Sequence, residues 1–202
     1  RHKNIVRSPI IVTSDVQTGR PILACSMGDP TGIGPEILIK SFSKSTTYDI
    51  CRPLAVGSIS AINRMAHILR SKVAIRPASP ETAVYTPGTI DVFDPWNEDL
   101  SDLPFKQVST SGGRVSAEAV IEATKLVMDG RAAAIVTGPI HKEAINRAGY
   151  HYAGHTELLA DLTNTPGTRM LLVAPSLRVI HNSTHVSLRE AIDRVTKDNV
   201  LH

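Results

Sequence analysis

The sequence is short of cysteine, of aromatic residues and of excess charge of either sign, and it contains no long hydrophobic run. Its 202 residues hold two cysteines, 4% aromatic side chains, and 22 Lys+Arg against 19 Asp+Glu, a formal net charge of +3. Two cysteines without CxxC spacing, Cys25 and Cys51, cannot build a disulfide framework. Both flank apolar segments and are expected as buried free thiols in a reducing cytoplasm. With few aromatics and no clustered Lys or Arg, there are neither stacking platforms nor a basic stripe for nucleic acid. No apolar run approaches the roughly 18 residues of a membrane span. Nor does a hydrophobic stretch follow the basic start at Arg1 to Arg7, as a secretory leader requires. Collagenous, disordered, membrane-spanning and disulfide-stapled classes are set aside on these grounds.

What remains is a chain with 42% hydrophobic residues, long enough for one α/β domain or two small lobes. Residues 1–20 read as an N-terminal extension, with a short strand at Ile10 to Val12. Ile22 to Met27 is an apolar run that stops at Gly28, the pattern of a buried strand. A loop over Gly28 to Gly34 follows, and Pro35 with Glu36 starts a helix, where a proline fits and an acid meets the dipole. Leu54 to Gly57 predicts a second strand, and Ser58 caps a helix reaching about Leu69. From Val73 to Phe105 prolines recur and the pattern weakens, save for a strand at Ile90 to Phe93; this stretch is either a small excursion or a lobe boundary.

After Ser111-Gly112-Gly113, apolar residues at Val115, Ala119, Val120, Ala123, Leu126 and Val127 define a helical face that Gly130 ends. A strand at Ala132 to Val136 runs into Thr137-Gly138-Pro139, then a helix from about His141 to Arg147. A further helix is predicted over Thr156 to Leu162. Strands at Met170 to Ala174 and Leu177 to Ile180 are joined by Pro175-Ser176. Ser187 with Glu190 is a capping box for the last helix. Strands alternating with helices predict an α/β fold with a largely parallel sheet.

The glycine-rich loop is the first candidate site. It lies between a strand and a helix, where backbone N–H groups can receive an anion; the competing reading is a tight turn carrying Asp29. It lacks the GxGxxG spacing and the Gly-Lys-Ser/Thr ending of the known nucleotide loops. Histidines say more: five of eight, His141, His151, His155, His181 and His185, fall within 45 residues. Neutral imidazole ligates divalent metals, and the protonated ring donates to anions. His181 and His185 are four apart, and four extended residues span ~13 Å, too far for one metal. His185, at a strand end before a capped helix, is the better ligand of the two. Gly154-His155-Thr156-Glu157 is a loop-to-helix junction in which Thr156 either caps the helix or joins His155 in donating to an anion. Lys142 follows the Thr137-Gly138-Pro139 turn, placed to hold a carboxylate or to sit on a wet face. No GxSxG, HExxH or Cys/His arrangement supports a hydrolase.

Four segments in order together resemble one family. Met27-Gly28-Asp29-Pro30-Thr31-Gly32-Ile33-Gly34-Pro35-Glu36 is similar to the N-terminal signature of the 4-hydroxythreonine-4-phosphate dehydrogenases of pyridoxine biosynthesis. Val136-Thr137-Gly138-Pro139 with His141-Lys142-Glu143, then Gly154-His155-Thr156-Glu157, then Ser183-Thr184-His185-Val186-Ser187-Leu188, recur there in the same order. The resemblance implies a cytoplasmic homodimer with the two-lobed α/β fold of isocitrate and isopropylmalate dehydrogenases, its site in the cleft. The implied chemistry is NAD-dependent oxidation and decarboxylation of a phosphorylated hydroxy acid, with a divalent metal (Zn, or Mg, Co or Mn) as Lewis acid.

By the family pattern His155 and Thr156 contact substrate and His185 is one of three metal-binding histidines; Lys142, from the reading of the residues, is the catalytic candidate, and no NAD-binding residue is assigned. Family chains run well past the point where this one stops, and the other two metal histidines and most of the NAD site lie in that continuation. Residues 21–202 are therefore expected to be a dehydrogenase region lacking the family's C-terminal part, inactive by itself. Val179 to His185 looks closer to a branch acting on D-threonate or D-erythronate 4-phosphate, and the amino and sugar-acid substrates both stay open. The alternative is a catalytically inactive lobe that keeps dimerisation or phospho-ligand binding.

Overall fold

The computed structural model describes residues 19–165, 167–184 and 186–201, which form two compact units meeting at Tyr152 and Ala153. The strand expected at Ile10 to Val12 lies outside the described residues. The first unit contains β1 (Ile22–Ser26), α1 (Gly34–Phe42), α2 (Ser45–Ile50), β2 (Arg52–Val56), α3 (Ile59–Ile68), β3 (Ala74–Pro77), β4 (Thr89–Phe93), α4 (Thr110–Met128), β5 (Ala134–Thr137) and α5 (Lys142–Arg147). The second contains α6 (His155–Leu162), β6 (Leu171–Ala174), β7 (Leu177–Ile180), α7 (Leu188–Asp193) and α8 (Lys197–Leu201). The division thus falls after α5 and not in the proline-rich stretch from Val73 to Phe105.

In the first unit five strands pair in the order β3-β4-β2-β1-β5, every pairing parallel. Parallel strands need both faces covered, and the period-2 side-chain alternation shows how this sequence supplies the cover. Ala55 packs on one face with Leu38, Ile39 and Phe42 of α1 and Ile62 and Met65 of α3. Its neighbours Leu54 and Val56 pack on the other with Ala119, Ala123 and Leu126 of α4. Along β4, Ile90 and Val92 join the first cluster and Phe93 the second.

Two serine caps set helix starts, the first of them expected. Ser58 Oγ accepts from Ala61 N at 3.3 Å at the head of α3, and Ser109 Oγ accepts from Gly112 N at 3.2 Å at the head of α4. The second of these corrects a boundary: α4 begins at Thr110, with Gly112 and Gly113 inside its first turns and not ahead of it. Glycine is a poor helix former, but a Cβ at Gly113 would collide with the Ala144 carbonyl, so the glycine lets α5 lie directly on α4. Asp91, 1% exposed, points its Oδ2 at Val84 N and Tyr85 N, 2.9 Å each, while Oδ1 faces Arg76 Nε at 3.3 Å. That carboxylate pins the loop between β3 and β4.

The second unit is built differently. β6 and β7 form an antiparallel hairpin, from Leu171 opposite Ile180 to Ala174 opposite Leu177, and every residue of both strands is exposed. Leu158, 1% exposed, is the buried apolar side chain among this unit's described residues. The expected capping box is present: Ser187 Oγ accepts from Glu190 N at 3.3 Å, and Glu190 Oε2 accepts from Ser187 N at 3.1 Å. No helix among the described residues is long and apolar enough to cross a membrane.

Candidate functional site

All five parallel strands end on one edge of the sheet, the place where such sheets set their sites. There the loop after β1 and the loop after β5 interlock. Gly138 N donates to Ser26 O at 3.0 Å, and Asp29 N donates back to Pro139 O at 2.9 Å. Gly28, at φ +76°, makes this contact possible, because a Cβ there would stand 2.5 Å from Pro139 O.

Asp29 is buried, and its Oδ1 accepts from both Thr31 N and Thr31 Oγ1 at 2.8 Å; the Thr31 hydroxyl also reaches Gln107 O at 3.1 Å. Thr31 O in turn accepts from Lys106 N at 3.1 Å. The acidic tight turn, one of the two readings of this loop, is therefore what its geometry shows. α1 starts without a side-chain cap, Ile33 standing at that position, and carries Glu36 in its first turn paired with Lys40.

The loop after β5 leads into α5, which His141 caps: its Nδ1 accepts from Ala144 N at 3.3 Å. Lys142 is the first residue of α5, exposed, with no ion pair among the described residues. His151 Nδ1 lies 3.4 Å from Asn146 Oδ1, an exposed contact at the far end of the same helix.

His155 and Thr156 open α6 in the second unit, His155 half-buried and Thr156 exposed. The cap position belongs to Gly154, which sets aside the capping reading of Thr156; Thr156 is the second residue of the helix. Because Gly154 has no side chain, the first-turn N–H groups of α6 receive no side-chain cap. The structure thus brings His155 and Thr156 together on one helical turn and places Lys142 in the other unit. Glu157 and Asp161 on the same helix are both exposed.

His181 follows β7, its N–H bonded to Met170 O at 3.1 Å, and lines a polar cleft with Arg169 and Arg194. His185, the expected metal ligand, lies outside the described residues. Among the described residues no three His, Cys, Asp or Glu side chains gather so as to hold a metal ion. The two thiols are free. Cys51 is buried but Cys25 only partly so, which corrects the expectation that both thiols are buried; burial pushes the Cys25 thiol up to about 12, with Cys51 nearby adding to the shift. Sequence reasoning missed Arg169 and Arg194. They belong to separate elements and meet only through the hairpin, so nothing in their spacing marks them.

An open parallel α/β sheet with interlocked glycine turns at its C-terminal edge, followed by a histidine-bearing helix start, defines the class. Residues 49–202 match the family model described as pyridoxal phosphate biosynthetic protein PdxA, and the chain belongs to that family. Over 176 residues it is 39% identical to the D-threonate 4-phosphate dehydrogenase of Cupriavidus necator, covering 87% of this chain and 53% of that protein.

Among solved structures it matches a 4-hydroxythreonine-4-phosphate dehydrogenase from Burkholderia phymatum with a TM-score of 0.85 and 37% identity, over 90% of this chain and 55% of that one. The enzyme of the same description from Klebsiella pneumoniae gives 0.81 and 37%, over 89% and 56%. The chain therefore spans about half the length of the relatives it matches.

Proposed function

We propose that this chain is the substrate-recognising portion of a dehydrogenase acting on a 4-phosphorylated four-carbon hydroxy acid, with D-threonate or D-erythronate 4-phosphate preferred to 4-phosphohydroxy-threonine. The observation that carries the reading is the head of α6. There Thr156, half-buried His155 and N–H groups without a side-chain cap converge on one turn, a donor set suited to an anionic group. The relative from Cupriavidus necator, at 39% identity, favours the sugar-acid branch over the amino substrate.

Each of the chain's own residues has a defined part in this reading. His155 and Thr156 bind and orient the anionic substrate. Lys142, exposed at the start of α5 with no ion pair among the described residues, holds a carboxylate by charge. The interlocked turns at Gly28 and Pro139 fix the α5 start against the sheet. NAD as hydride acceptor and a divalent cation are what membership of the family implies. One histidine does not hold a catalytic metal, which takes about three protein ligands. His185 would thus be one ligand among several, the rest drawn from outside the described residues. The exposed hairpin supports assembly as a homodimer, since such an apolar ribbon needs a covering surface.

The test is reduction of NAD by the full-length protein with a divalent metal, followed at 340 nm, with the three phosphorylated acids compared. The expected outcome is turnover of the D-threonate or D-erythronate ester above the amino ester. Turnover of 4-phosphohydroxy-threonine alone would reverse the preference, and no reduction with any of them would remove the substrate class.

A further inference from the structure

At the unclosed end of the β6–β7 hairpin the second unit carries a small open cavity of about 110 Å³. The loop ahead of β6 supplies Arg169, the segment after β7 supplies His181, Ser183 and Thr184, and the C-cap of α7 supplies Arg194. Backbone bonds hold these parts together. His181 N donates to Met170 O at 3.1 Å, carrying the hairpin one pair beyond its strands. Asn182 Nδ2 donates to Arg194 O at 2.9 Å, and Asn199 Nδ2 donates to the same carbonyl at 2.9 Å.

Three basic side chains are thus gathered around one cavity that no acidic residue lines. Neither Arg169 nor Arg194 makes an ion pair among the described residues. Glu190 lies within electrostatic reach of Arg194, and its Oε2 is already engaged by Ser187 N and Ser187 Oγ at 3.1 and 3.0 Å. Like charges brought together without counter-charge repel one another, and an anion seated between them removes that repulsion. Two guanidinium forks, an imidazole and two hydroxyls present donors from several directions, which suits a tetrahedral oxyanion better than a planar carboxylate.

We infer that the Arg169–His181–Arg194 cavity is a binding site for a phosphate-type oxyanion. The site lies wholly within the second unit and does not depend on the dehydrogenase reading. Two sources share this chemistry: the phosphate ester of a small acid and the pyrophosphate of a dinucleotide.

The experiment is a titration of the full-length protein with inorganic phosphate, followed through the His181 imidazole resonances, in the wild type and in Arg169→Gln and Arg194→Gln. The expected result is a saturable shift of the His181 signals that weakens at least tenfold in either variant and is partly restored by Arg169→Lys. Circular dichroism of each variant checks that the fold is kept. Competition then separates the sources: D-threonate 4-phosphate displacing phosphate from His181 assigns the site to the ester, and displacement by NAD assigns it to the dinucleotide. No saturable shift, or one unchanged by both glutamine variants, overturns the inference. NAD reduction measured on the same samples keeps the two readings distinguishable. Turnover without a His181 shift defeats only the oxyanion site, and a shift without turnover defeats only the dehydrogenase.

Discussion

In the first unit β2 is buried from Pro53 to Val56 under helices on both faces, whereas in the second unit every residue of β6 and β7 is exposed. The strands do not differ in apolar character: Leu171, Leu172 and Val173 are as hydrophobic as Leu54, Ala55 and Val56. They differ in what surrounds them. The first unit closes its own core, with α1 and α3 on one side of the sheet and α4 on the other. A two-stranded ribbon is marginal in water without a further layer, and Val173, 66% exposed, has none. The first unit thus covers its own sheet, while in the second the apolar hairpin stands uncovered among the described residues.

Truncation of side chains should break this comparison most sharply. Leu54→Ala and Ile62→Ala each remove a fully buried side chain and are expected to cost about 2–5 kcal/mol. Val173→Ala should cost under ~0.5 kcal/mol in this chain, as exposed positions do. Urea unfolding of the three variants measures the contrast, and equal losses would abolish the distinction between the units. A smaller effect is expected at the interlocked turns. Gly28→Ala forces a side chain into φ +76° and against Pro139 O, at a cost of about 2 kcal/mol, read from the same unfolding curves.

The smallest effect is electrostatic. Arg131 donates to Glu81 at 2.8 and 2.9 Å and, with Ser79, holds that carboxyl at about 2 against an ordinary 4.5. A depressed carboxyl stabilises the fold fully above its unfolded value, and the benefit is lost as pH falls from about 4.5 towards 2. Because the two side chains are 38% and 58% exposed, the loss should stay under ~1 kcal/mol. Glu81→Gln should flatten the acid limb of stability in that window, and an unchanged limb would contradict the pairing.

Much of the first unit was legible because its signals are local. The apolar run at β1, the Ser58 cap and the α4 face each state a backbone preference within a few residues, as the Ser187–Glu190 box does in the second unit. What escaped is what tertiary contact decides. α2, Ser45 to Ile50, has no apolar period and buries only Tyr48, whose hydroxyl reaches Thr89 O at 2.9 Å. β3 is a four-residue edge strand ending in Pro77, visible only through its pairing with β4. Gly112 and Gly113 read as a break, yet both lie inside α4, and at Gly113 the Ala144 carbonyl stands where a Cβ would be.

The candidate site divides in the same way. His155, Thr156 and Lys142 were visible as junction residues and through the family resemblance. The Arg169–His181–Arg194 cavity has no linear signature, being assembled by hairpin pairing and the Asn182–Arg194 bond.

The measurement that bears most directly on the difference between the units is native-state amide hydrogen exchange, on this chain and on the full-length protein. In this chain the amides of β1 and β2 should exchange only through global unfolding, and those of β6 and β7 faster by orders of magnitude. In the full-length protein β6 and β7 should gain protection approaching that of the sheet. Strong protection of the hairpin in this chain alone, or none in the full-length protein, would contradict the contrast between a self-covered sheet and a hairpin that depends on a further surface.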